Sequence, residues 1–190
     1  MYMTQQMTVR KTVFHTARQR TLAVLAAVIA AIALPQLFHM LGAVTGMGTA
    51  LGQIFLPMHL PVLLVGLLAG PAAGLAAGAV SPLLSYAISG MPVLTGLPFM
   101  ALELAVYGLI AGLLANRNLP VIAKLFIAQL AGRAVKAAGL GIAVYALGNT
   151  SVPVSSVWTG LVTGLPGLLL QWSLLPLLMF RISHWEQNHV

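Results

Sequence analysis

The stretch from Pro57 to Ser85 reads PMHLPVLLVGLLAGPAAGLAAGAVSPLLS, and it decides the fold. It is almost wholly apolar, rich in glycine and alanine, and His59 is its one residue with an imidazole. The apolar run around it, from about Ile54 to Ser89, is too long for one membrane-spanning helix, which needs about 20 residues. Gly70-Pro71 in its middle is a turn signal, so the run divides into two short helices joined tightly there. Outward from this stretch, the chain holds no Asp, Glu, Lys or Arg between Arg20 and Glu103, nor between Lys136 and Arg181. Of the 190 residues, 59% are hydrophobic and 6% charged, whereas soluble domains carry about 25% charged residues. A water-soluble globular fold is excluded. The sequence describes an all-α polytopic membrane protein.

Six transmembrane helices are expected. The first runs from about Gln19 to Met40, kinked by Pro35, after a polar and basic arm, residues 1–18. The glycine-rich segment from Gly42 to Gln53 reads as an external loop. Two helices follow on either side of Gly70-Pro71, then a loop from Ser89 to Leu97. The fourth span covers Pro98 to Ala115, Asn116 to Pro120 is a basic turn, and the fifth span runs from Val121 to about Leu147. A polar turn, Gly148 to Ser156, leads into a sixth span from Val157 to Phe180 and a polar tail. The transmembrane domain is thus 19–182, with 183–190 as the tail.

The net charge of +7 comes from nine Lys and Arg against Glu103 and Glu186. It is a matter of topology rather than of nucleic-acid binding. Arg10, Lys11, Arg18 and Arg20 precede the first span, and Arg117 and Arg181 fall on the same side. The loops 41–53, 89–97 and 148–156 hold no cation. Basic residues flanking a span stay in the cytoplasm, so both termini face inward and those three loops face outward. With no Cys, disulfides, thiolate metal sites and cysteine nucleophiles are excluded. There is no phosphate-binding Gly-rich loop and no metalloprotease or serine-hydrolase motif. No enzyme activity, cofactor or metal is expected.

Small residues form two ladders. Gly66, Gly70, Gly74 and Gly78 recur every four residues and suit internal packing, because helices in lipid associate through close backbone approach. Ala23, Ala27 and Ala31, with Ala26 and Ala30 on an adjoining stripe, form a smooth face of the first helix. If Leu22, Leu25 and Ile29 turn to the core, those alanines are free to dock another membrane protein.

Three ionisable residues fall within spans: Glu103, Arg133 and Lys136. Such groups are costly in a bilayer and mark functional sites by default. With ~1.5 Å of rise per residue, Glu103 lies roughly 8 Å below the outer boundary, and Arg133 roughly 18 Å above the inner one. Lys136 is about one turn further out. All three share the outer half, and one cation remains after Glu103 pairs with the other. An anion from outside fits that surplus, and arginine offers a fork to a carboxylate. The competing reading is a structural Arg133–Glu103 pair with Lys136 snorkelling to the interface. His59 between Pro57 and Pro61, with Gln53 and Met58, suits a place where an unwound helix borders a cavity; the competing reading is a satisfied interface histidine. Tyr86 is an aromatic candidate for the same cavity wall. His39 is a weaker one, and Gln129 is left open.

These features resemble the substrate-binding S component of energy-coupling factor (ECF) vitamin transporters, over residues 19–182. The first-helix alanines are similar to that family's AxxxA docking signature. Pro57–Ser85 and PFMALELAVYGLIAGLL (Pro98–Leu114) are similar to two of its helical segments, and LPMHLPVLL looks most like its pantothenate-specific members. The resemblance implies a six-helix protein of a bacterial cell membrane that captures a vitamin outside. It implies docking through helix 1 onto a transmembrane coupling (T) subunit driven by two ATPase subunits, with loop 41–53 as the lid. Pantothenate, with one carboxylate, matches the single surplus cation; pyridoxine, a pyrimidine precursor, riboflavin and cobalamin stay open. The alternatives are a membrane scaffold or assembly protein and a self-sufficient solute carrier.

Overall fold

The computed structural model describes residues 13–14, 16–149 and 151–189, with residues 183–189 described by backbone alone. The arm 1–18 therefore lies largely outside the described residues, as do the side chains of the tail 183–190. Helices α1 (Ala17–Val44), α2 (Ala50–Phe55), α3 (His59–Ala69), α4 (Pro71–Ser89) and α5 (Leu97–Leu114) follow in order. Then come α6 (Val121–Gly141), a π-helical turn (Ile142–Ala146), α7 (Ser156–Thr163) and α8 (Leu165–His189). Six segments are long and apolar enough to cross a membrane: α1, α2 with α3, α4, α5, α6 with the π turn, and α8 as far as Ile182.

The turn at Gly70-Pro71 forms as the sequence predicts. Gly70 adopts φ 94, open to glycine, and Pro71 opens α4, where its missing N–H costs nothing. The glycine ladder is internal. A Cβ on Gly74 would fall on the backbone of Gly108 in α5, and one on Gly78 on the carbonyl of Leu104. These two helices meet backbone to backbone.

Helix α1 begins with a capping box. The Thr16 hydroxyl accepts from the Gln19 N–H at 3.2 Å, and the Gln19 side chain accepts from the Thr16 N–H at 3.1 Å. Its orientation reverses the expected one. Buried Ala27 and half-buried Ala23 pack with Val65, Ala69, Ala73 and Ala77, and Ala31 is buried in the main core cluster with Val62 and Leu63, whereas Leu22, Leu25 and Ile29 are exposed. In lipid a leucine loses nothing by facing outward, so the small residues take the helix contact. Of the five alanines only Ala26 is exposed, with Ala30 half-buried.

Segment 41–53 is not a free loop. Helix α1 continues to Val44, and after a turn with Gly46 and Gly48 at positive φ the chain forms α2. Gly48 N–H bonds back to the Gly42 carbonyl at 2.9 Å, folding α2 against α1. The sixth span is also interrupted: α7 ends at Gly164, which packs against the Leu56 side chain, and α8 starts anew at Leu165.

Val121 and Met179 belong to the main core cluster, with Phe14 and Ile182 packed against it. Buried Lys124 donates to the Ala115 carbonyl at 2.7 Å, a cation on the open C-terminal end of α5.

Candidate functional site

A cavity of about 640 Å³ opens among α1, the α2–α3 break, α5, α6 and α7. Its size falls within the roughly 300–1,000 Å³ of small-molecule sites. Three of its walls are irregular helix. Between α2 and α3, Leu56 adopts φ 48, the one positive φ outside glycine among the described residues, and Pro57 follows without an N–H to continue the ladder. This break delivers Pro57, Met58 and His59 to the cavity wall.

The ionisable trio meets as expected. Glu103 from α5 and Arg133 and Lys136 from α6 all line the cavity. Lys136 Nζ lies 2.7 Å from Glu103 Oε2, and the Tyr107 hydroxyl donates to Oε1 at 2.8 Å. Lys136 therefore pairs inward and does not snorkel. Arg133 is the loosely held cation: its nearest nitrogen is 3.9 Å from Glu103 Oε1, beyond hydrogen-bond reach, and its buried Nε has no partner. Two positive charges face one negative, and the surplus sits on the residue whose fork suits a carboxylate. Gly132 makes this approach possible, since a Cβ there would collide with the Tyr107 ring.

His59 is buried, its ring centroid 5.3 Å from that of Tyr107, and its Nδ1 has no hydrogen-bond partner. Gln53 and Met58 also line the cavity. Tyr86 does not. Its neighbour Ser85 takes that place, one residue being about 100° around a helix. The five alanines lie on α1 away from the cavity, where Pro35 and His39 contribute instead.

Sequence reading missed the wall supplied by α7. Ser156, Thr159 and Thr163 line the cavity, and the buried Ser156 Oγ is unpartnered. Their i, i+3, i+7 spacing puts three hydroxyls on one helix face. That signal is present in the sequence but hidden inside what reads as a polar turn and a continuous span.

A broken-helix bundle with a half-open, mainly apolar cavity that carries a few charged and polar groups suits a membrane protein that binds a small solute. The family model for the ECF transporter, substrate-specific component, matches residues 20–179. The chain belongs to that family: it is the substrate-binding membrane component of a transporter, not an enzyme. No curated protein and no solved structure matches it.

Proposed function

We propose that this chain captures a small monoanionic vitamin, pantothenate or one of closely similar chemistry, from outside a bacterial cell. It then hands the vitamin to a T subunit and two ATPase subunits for import. The observation that carries this reading is the Arg133 surplus charge with its unpartnered Nε on the cavity wall. A ligand carboxylate supplies the missing anion, and a charge-assisted bond there is among the stronger ones available. Pantothenate also bears an amide and two hydroxyl groups, which suit Ser156, Thr159 and the free Nδ1 of His59. The scaffold alternative is less well supported, because a purely structural trio leaves no reason for an unpartnered guanidinium donor beside a cavity. For docking onto the T subunit, Ala26 is the alanine that is still exposed, beside half-buried Ala30, and α2 is our candidate for the segment that closes the cavity.

The test is calorimetry on the purified chain in lipid nanodiscs with a panel of B vitamins. Binding of pantothenate at micromolar concentration or below, with thiamine and folate inactive, is the expected result. A panel in which nothing binds at that concentration overturns the reading. Uptake into vesicles that requires added T and ATPase subunits separates it from a self-sufficient carrier.

A further inference from the structure

Beneath the cavity lies a buried amide chain that the substrate site does not use directly. The Trp172 indole N–H donates to Gln129 Oε1 at 2.7 Å, Gln129 Nε2 donates to Gln171 Oε1 at 2.8 Å, and Gln171 Nε2 reaches the Leu56 carbonyl at 3.4 Å. Gln129 and Gln171 are buried, and none of the three side chains lines the cavity. The direction of this chain is fixed at both ends. An indole N–H only donates and a backbone carbonyl only accepts, so each glutamine amide has one allowed orientation between them.

What the chain ties together is informative. At one end is the left-handed break at Leu56, whose carbonyl also accepts the His59 N–H at 3.1 Å. At the other is Gln129, which shares a face of α6 with Arg133 and Lys136 at i+4 and i+7. The helix that bridges them, α8, approaches closely because Gly167 packs on the backbone of Ile54 and Phe55. A backbone turn at φ 48 is unfavourable for leucine and persists only where its surroundings hold it. A glutamine side chain reaching its carbonyl is such a hold.

We propose that Gln129, Gln171 and Trp172 are positioning residues of the substrate site, clamping the Leu56 break, and with it His59, in register with the Arg133/Lys136 face of α6. The role of the clamp in affinity rests on the cavity being the vitamin site; its role in holding the break does not. Interhelical amide bonds in membranes are modest, so loss of the clamp lowers affinity by roughly three- to tenfold rather than abolishing binding.

The absence of Cys allows a clean test. Met58→Cys reports the break and Ser89→Cys, outside the cavity, serves as the control; both are labelled with a water-soluble maleimide in nanodiscs. The double variant Gln129→Leu/Gln171→Leu removes both amides, leaving neither unsatisfied. It is expected to label at position 58 roughly three- to tenfold faster, with position 89 unchanged. In the cysteine-free chain it weakens pantothenate by a similar factor. Equal labelling at position 58 in a folded double variant overturns the clamp. Should that variant not fold, Gln171→Leu alone breaks the bond to the Leu56 carbonyl; faster labelling at 58 supports the clamp and an unchanged rate overturns it. A parent chain that fails to bind pantothenate defeats the functional reading alone, because labelling still decides the clamp.

Discussion

The seam between α4 and α5 and the cavity side formed by α2, α6 and α7 are built on opposite rules. Along the seam, Gly74 and Gly78 face Gly108 and Leu104 with no side chain between the backbones, and both helices are unbroken. On the cavity side the chain is interrupted at Leu56 between α2 and α3 and at Gly164 between α7 and α8, and α6 passes into a π turn. Glu103 and Tyr107 stand on the rigid side, Arg133 and Lys136 on the other. The anion is thus held by a helix of the backbone-to-backbone seam, and the surplus cation by α6, the helix packed beside it. A cavity in a bilayer requires backbone groups satisfied away from a regular helix, which is tolerated only where protein or water surrounds them.

The largest effect expected from breaking this contrast is on the seam. Gly74→Leu puts a side chain into the Gly108 backbone, where nothing flexible is available to yield. A loss exceeding about 4 kcal/mol is expected, read as failure to recover folded protein or as a collapse of the thermal transition. Gly141→Ala, at the far end of α6 with open space around it, is the matched control. It is expected to be neutral or stabilising by up to ~1 kcal/mol. Comparable losses at both positions would show that the seam has no special rigidity.

On the cavity side the effects are on binding, and the fold survives. Arg133→Ala is expected to weaken pantothenate by ~1.5–3 kcal/mol, the usual worth of a hydrogen bond to a charged group, with the thermal transition retained. Calorimetry at constant salt measures it, and unchanged affinity moves the carboxylate elsewhere. Glu103→Gln acts on the other side of the comparison. It keeps the shape and an acceptor for the Tyr107 hydroxyl, but removes the anion shared by Lys136 and Arg133. The site's charge rises by one, and a dicarboxylate analogue is expected to gain roughly tenfold relative to pantothenate in competition binding. A preference that does not move would argue that charge is not what selects the ligand.

The two regions also differ in how far the sequence reveals them. The seam is legible: the four-residue glycine period and Gly70-Pro71 specify close packing and a tight turn by conformational necessity. So is the trio, because three charges inside apolar runs can meet only at matching depths. The orientation of α1 is not legible. Hydrophobicity points inward only where the outside is water, so Leu25 and Ala27 are equally at home against lipid, and packing alone turned the alanines in. Helix α2 at the end of the expected loop and the break at Gly164 were hidden for a related reason, since neither requires a polar residue. Ser85 was missed in favour of Tyr86 by one residue of helical phase, which no apolar pattern fixes when both neighbours face protein or lipid.

The smallest expected effect is the one that best defines the ligand's reach. Ser156 opens α7, and its buried Oγ makes no hydrogen bond within the protein. Ser156→Ala therefore removes no internal bond, and the thermal transition should stay where it is. If the ligand spans from Arg133 to α7, the hydroxyl gains a partner on binding, and its loss costs ~0.5–1.5 kcal/mol of affinity. Because the free protein is unaffected, that loss appears wholly in binding, which calorimetry on the variant reads directly. A fall in affinity at Arg133 with none at Ser156 would confine the ligand to the cationic half. The hydroxyl face of α7 would then serve bound water and not the vitamin.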